Sequence, residues 1–306
     1  MRFLKILSII SLLAAVSGCS MKKMAVRSTA EIIEDGMSAF NDEEDVELAR
    51  AASASNLKLI EGLIRSDPEN EKLLLAAAEG FCGFAFGFFE MDMERYFNVE
   101  DELYDKTRAR AKIFYKRGLK YALKVIEDEY PEFPSLIEKG SYDEMKNLVA
   151  NMDEEYLPAL FWTGFCWGSI INLSRDDMGV VAALPKAKAI MERVMEIDPM
   201  YFHAGAYLFF AVLNSGMPEM LGGNPAEGKK YFEKAFEANG GKMLLANVFY
   251  ARFYAVAVQD RGLYDKELEG VLSAPNDIFP GQTLYTMLAK ERAKVLKERG
   301  DDFFID

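Results

Sequence analysis

The chain has 306 residues, with 36 Lys+Arg, 49 Asp+Glu, one His and three Cys, for a formal net charge of −13. A net acidic chain without a basic block has no electrostatic footprint for nucleic acid, and so few His and Cys cannot build a zinc site of the usual kind. At 50% hydrophobic and 12% aromatic residues it can bury a large core, and its richness in Ala, Leu, Met, Glu and Lys favours helix. No cofactor is expected.

In chain order, Arg2 and Lys5 make a positive leader region, and Ile6 to Val16 is apolar but too short for a spanning helix of ~20 residues. Val16-Ser17-Gly18-Cys19 resembles the bacterial lipobox, in which the cysteine thiol receives diacylglycerol. The expected organisation is a lipoprotein signal peptide over 1–18, a lipidated tether over 19–27 and one all-helical domain over 28–306. Cys19 is the expected lipidation site, and acylation would hold the mature chain at a membrane surface without spanning it. Loss of Arg2 and Lys5 takes the net charge from −13 to −15. An uncleaved N-terminal anchor helix is the alternative. Cys82 and Cys166 each sit in an apolar segment; a disulfide is possible in an oxidising compartment, but two buried thiols acting as small hydrophobes is the favoured reading.

The rest reads as helix after helix. Ser28-Thr29-Ala30-Glu31 is a capping box opening the first mature helix. Helices follow over about 43–65 and 73–89, the second nearly uncharged with Glu79 as its interruption. The segment 100–129 carries apolar residues at helical spacing and is broken by Tyr130-Pro131-Glu132-Phe133-Pro134. Further helices are expected over 142–152, 156–173, 185–197, 201–213, 225–238, 243–259, 264–272 and 282–299. No segment alternates with period two.

Several of these helices pair with a shared pattern. Ala187-x3-Met191-x2-Val194-x4-Pro199 fits the second half of a tetratricopeptide repeat, and Gly228-x3-Phe232-x2-Ala235-x4-Gly240 repeats it with glycine as terminator. Partial copies begin at Ile60 and Ala111. The expected fold class is therefore all-α, with stacked helical hairpins in a modified TPR-like solenoid. The first helices of the pairs are apolar nearly all round, so each must be surrounded by protein or border a cavity. Their aromatic stripe is either core or the lining of an apolar pocket or pore. The candidate ligand or pore residues are Phe84, Phe88, Trp162, Trp167, Tyr207, Asn247, Arg252 and Tyr254.

The run Pro158-Ala-Leu-Phe161-Trp162-x4-Trp167-Gly168, with Leu184-Pro185, Asp198-Pro199-x-Tyr201, Leu221-Gly222-Gly223-Asn224-Pro225 and Tyr231-Phe232-x2-Ala235, resembles the T component associated with TRAP transporters, the TatT-like tetratricopeptide lipoproteins. The resemblance implies a non-enzymatic, homotrimeric lipoprotein on the periplasmic side of the cell envelope. It implies docking of the solute-binding P component, and a pore or groove for a hydrophobic or carboxylate ligand. The region 130–151 departs from a tidy repeat.

The charged residues fit such a ligand without demanding one. Arg252 is the only charge between Lys242 and Asp260; its guanidinium needs a partner, and an internal Asp or Glu is favoured over a ligand carboxylate. Arg175 and Asp176 are equally an exposed helix end or part of a pocket. His203 reads as a packing histidine, because no nucleophile motif accompanies it. There is no phosphate loop, His-Glu-x-x-His or Gly-x-Ser-x-Gly, so no enzyme is expected. The alternative function is a helical-repeat scaffold lipoprotein in envelope or outer-membrane protein assembly, with no ligand pore.

Overall fold

The structure is a computed structural model that describes the backbone of residues 2–305 and the side chains of residues 21–305. The readings of a leader over 1–18 and of lipid on Cys19 concern side chains outside the described residues. Helix α1 (Arg2–Asn41) runs straight through the expected capping box. No Gly or Pro interrupts residues 19–35, and Thr29 Oγ1 donates back to the Ala25 carbonyl at 2.9 Å instead of capping a new start. A capping box does form at Ser141 and Glu144, at the start of α7.

Most of the remaining helices follow the sequence reading within a few residues, and three short ones, over 90–96, 133–139 and 178–181, have no counterpart in it. In chain order they are α2 (Val46–Ile64), α3 (Glu71–Phe84), α4 (Glu90–Tyr96), α5 (Asp101–Glu127), α6 (Phe133–Lys139), α7 (Tyr142–Ala150) and α8 (Leu157–Asn172). Then come α9 (Met178–Val181), α10 (Leu184–Ile197), α11 (Tyr201–Gly216), α12 (Pro225–Asn239), α13 (Leu244–Phe249), α14 (Arg261–Ser273) and α15 (Thr283–Glu298). The sequence marks Tyr130 to Pro134 as a break, yet α6 starts there, because a proline in the first helical turn loses no hydrogen bond. Two π-helical segments also carried no sequence signal. One, Ala85–Phe89, joins α3 to α4, and the other, Tyr250–Ala255, prolongs α13.

Four hairpins are formed by α3 with α5, α8 with α10, α11 with α12, and the π-helical end of α13 with α14. Neighbouring hairpins stack through α5 on α8 and α10 on α11. Helix α15 then turns back to pack on α13 and α14 at one end of the stack and on α1, α2 and α4 at the other. The stack therefore closes on itself. The buried apolar residues fall into two groups, one drawn mainly from the first half of the chain and the other from Ala211 to Leu296, with Phe86 packed against both.

Closure explains the most apolar stretch. Residues Glu71–Tyr96 are long and apolar enough to cross a membrane, but 61% of an apolar 18-residue stretch within them is buried inside the protein. Cys82 of α3 and Cys166 of α8 are joined by a disulfide with their Cα atoms 5.9 Å apart, which corrects the expectation of two free thiols. Both cysteines face Gly118 of α5, where a Cβ would stand 2.9 Å from the Ala78 carbonyl. The missing side chain lets α3 and α8 approach closely enough to bond.

One backbone feature is costly. Phe202, His203 and Ala204, at the start of α11, have φ of 47°, 57° and 61°. L-residues in this left-handed region each cost ~1–2 kcal/mol. The Asn239 side chain holds the turn by donating to the His203 carbonyl at 2.9 Å.

Candidate functional site

Because the hairpins curve and α15 closes them, their apolar first helices face an interior cavity of about 240 Å³. Its walls are aromatic, including Phe84, Phe86 and Phe88 from the first hairpin, Trp162 and Phe165 from α8, and Phe249 from α13. Phe86 stands edge-on to both Phe165 and Phe249, at 5.5 and 5.6 Å between ring centres. That contact joins three hairpins across the middle of the wall. Lining residues on α8 run from Phe161 to Asn172, a helical rise of ~16 Å. The cavity is thus elongated, with different chemistry at its ends.

Glu79 lines one end, together with Phe202 and Tyr285. No hydrogen bond or ion pair joins Glu79 to another described residue, and burial pushes its carboxyl up to about 7. Tyr201 and Tyr285 are its ionisable neighbours, and their phenols are raised above the ordinary range, first by burial and then by the Glu79 charge. His203 packs edge-on to Phe279 and Tyr285 at this end. Burial lowers its imidazole below the usual value, against a hydrogen bond with Gln282. It is a packed histidine.

The other end includes Asn172, Leu213 and Phe253. Asn172 Oδ1 accepts from Arg175 Nε at 3.0 Å, and Arg175 Nη1 donates to the Gly216 carbonyl at 2.6 Å. Burial lowers the Arg175 pKa, and the charge of Arg252 lowers it further. A more polar recess, bordered by Lys188, Glu192 and Asn214, shares Leu184 and Leu213 with the cavity. Glu90 also reaches the wall, where burial raises its pKa, but unlike Glu79 it has a hydrogen-bond partner. It accepts from Tyr115 at 2.5 Å, and beside it Arg292 donates from Nε to Glu94 at 3.0 Å.

Of the residues singled out in the sequence, Phe84, Phe88 and Trp162 are brought together on the cavity wall. The other five lie away from it. Trp167 is buried with Lys186 Nζ 5.7 Å from its ring centre. Tyr207 packs with Tyr231 and Lys234, and Tyr254 stacks on Tyr250 at 4.8 Å. Asn247 donates to Glu267 at 2.8 Å. Arg252 lies over the Phe303 ring at 4.1 Å, with no hydrogen bond or ion pair to a described residue; the internal carboxylate expected for it is not in contact. Glu79 was visible only as the acid interrupting an apolar helix. Tyr285 and Leu288 come from α15, about 200 residues later, and had no local signal. Among the described residues no group of three His, Cys, Asp or Glu is placed to hold a metal.

The chain has relatives among known proteins. A protein of Treponema pallidum (strain Nichols), described as uncharacterized, is 22% identical over 304 residues, covering 95% of this chain and 94% of its own length. The family described as TRAP transporter T-component matches residues 42–304. That span takes in every wall of the cavity except its edge on α1, and the chain belongs to the TRAP transporter T-component family.

Proposed function

We propose that the chain is the lipid-anchored, periplasmic T component of its TRAP-type uptake system, that it docks the solute-binding P component as a homotrimer, and that its cavity receives a hydrophobic or carboxylate-bearing ligand. The observation that carries this reading is the cavity itself. Cores of natural proteins leave few voids larger than a water molecule, whereas here about 240 Å³ lies open behind aromatic walls. An apolar body gains from entering such a space in proportion to the apolar area removed from water. A carboxylate on that body would meet the side chain of Asn172 at the other end, with the Arg175 guanidinium bonded behind it. The acidic mature chain stays soluble while held at the membrane.

Two measurements test this. N-phenyl-1-naphthylamine, a neutral fluorescent probe, should brighten and saturate on the wild-type protein. Gly83 supplies the blocking variant, since it lines the cavity and a Cβ there meets nothing within 4 Å. Gly83→Leu should abolish probe binding while leaving the fold intact by circular dichroism. Light scattering after size exclusion, with and without the cognate P component, should give a trimer and a larger complex. A monomer that forms no complex and binds no probe would instead favour the scaffold reading.

A further inference from the structure

Glu79 stands apart from the fully or partly buried acids Asp67, Glu90 and Glu94. Asp67 is bonded to Arg27, Glu90 to Tyr115 and Glu94 to Arg292. Glu79 has no such partner, and its carboxyl faces the cavity between aromatic rings. An unpaired acid in an apolar wall costs stability when ionised, because nothing replaces the water it loses. The same acid is complementary to a cation delivered on an apolar body, which would restore the missing hydrogen bond and the missing charge together.

The surroundings exclude other partners for it. The lining residues contributed by α1 and α2, among them Asn41, Ser53 and Asn56, carry no charge. Those of α8 near this end, Phe161, Trp162 and Phe165, are apolar. From α11 and α15 it faces the phenols of Tyr201 and Tyr285, both held neutral. His203 lies behind Tyr285 with its pKa lowered, so it is uncharged at neutral pH. Glu90, the other acid on the wall, lies eleven residues along the helix from Glu79, ~16 Å away, within the Tyr115 and Arg292 network. The strained turn at 202–204 presents Phe202 to this same end.

We propose that Glu79 is a specificity-determining residue of the cavity, binding the protonated amine of an elongated apolar molecule and keeping carboxylate head groups from that end. The inference rests on the cavity being a ligand site. It makes the two ends complementary: an amine is held at Glu79, while a carboxylate-bearing molecule lies reversed, with its head toward Asn172 and Arg175. Amine binding requires ionised Glu79, so it strengthens as pH rises through about 7.

The test is displacement of N-phenyl-1-naphthylamine by octylamine and by 1-octanol, on the mature-length chain and on Glu79→Gln and Glu79→Met. Wild-type protein should prefer octylamine over 1-octanol at pH 8, and the preference should shrink at pH 6. Both variants should lose it, with octylamine weakened at least about tenfold relative to 1-octanol, and should show no pH dependence. Glu90 is unchanged in both variants, so a surviving pH dependence would assign the titration to it and overturn the proposal. Equal octylamine to octanol ratios in wild type and variants would overturn it as well. Failure of the cavity reading looks different: the probe would then not bind wild-type protein, or Gly83→Leu would leave its binding unchanged. Thermal unfolding of each variant confirms that the ratios come from folded protein.

Discussion

Glu61 of α2 and Glu79 of α3 belong to helices that pack on one another, yet their environments are opposite. Glu61 follows Ile60, which faces the cavity, and turns away from it toward α5. Burial alone would raise its pKa, but hydrogen bonds from Arg117, Lys58 and Tyr121 outweigh burial and hold it at about 2. Glu79 is more deeply desolvated, with nothing to offset it, and sits at about 7. A carboxylate with three donors is part of the scaffold. One with none is a free valence at a site. The same pair of packed helices therefore carries both a structural acid and a ligand-seeking one, and the cavity wall divides them.

The largest expected effect comes from unfastening that wall. Cys82 lies one helical turn from Glu79 and is bonded to Cys166 across 84 residues. Loop closure of that length stabilises by ~4 kcal/mol. The double variant Cys82→Ala/Cys166→Ala should lose about that much in guanidinium unfolding, and equal stability of the oxidised and reduced wild-type protein would refute it. Next is the pair that closes the stack. Arg292, 2% exposed, reaches Glu94 through two hydrogen bonds. Arg292→Met leaves Glu94 buried and unpaired and should cost ~4 kcal/mol, while Arg292→Met/Glu94→Leu should recover most of the loss. A single variant as stable as wild type would place Glu94 in water.

Glu79, which has no partner to lose, comes next. Its folded-state pKa is above its ordinary value of 4.5, so native protein keeps a proton that the unfolded chain has released. Stability must fall as pH rises from about 4.5 to about 7, by ~3 kcal/mol. The difference between wild type and Glu79→Gln isolates this group, with the variant gaining on the wild type across that window. Superimposable curves would mean that the carboxyl has found a partner.

Much of the fold was legible because helix boundaries are local. Asp45, Asn70, Asn224 and Asp260 each cap a helix by accepting from its first free N–H groups, and such signals lie within four residues of what they control. Repeat spacing exposed the hairpins for the same reason. What was missed depends on distance in the chain. The disulfide needs the gap over Gly118, the cavity needs α15 to return to α1 and α2, and neither follows from a window of one helix. The π-helical segments at Ala85–Phe89 and Tyr250–Ala255 are a middle case: each lies in an apolar run that satisfies any helical period, so tertiary packing chooses the wider turn. The lone acid was in plain view at Glu79, and only the cavity gave it meaning.

Glu61 gives the smallest effect and the sharpest contrast. Its folded-state pKa is below the ordinary 4.5, so it contributes stability that is complete above pH 4.5 and is lost as pH falls toward about 2. The pair with Arg117 is partly exposed, at 15% for Glu61 and 34% for Arg117, and solvent screening reduces its contribution to ~1–2 kcal/mol. Glu61→Gln should lose that amount at pH 6 and nothing at pH 2. Since Glu61 weakens the fold only on the acid side of 4.5 and Glu79 only on the alkaline side, their joint contribution peaks near pH 4.5. Relative to wild type, Glu61→Gln should therefore erase the acid limb of that peak and Glu79→Gln the alkaline limb. If either substitution moved both limbs, the two acids would be coupled through the packed α2 and α3, and the division drawn by the cavity wall would fail.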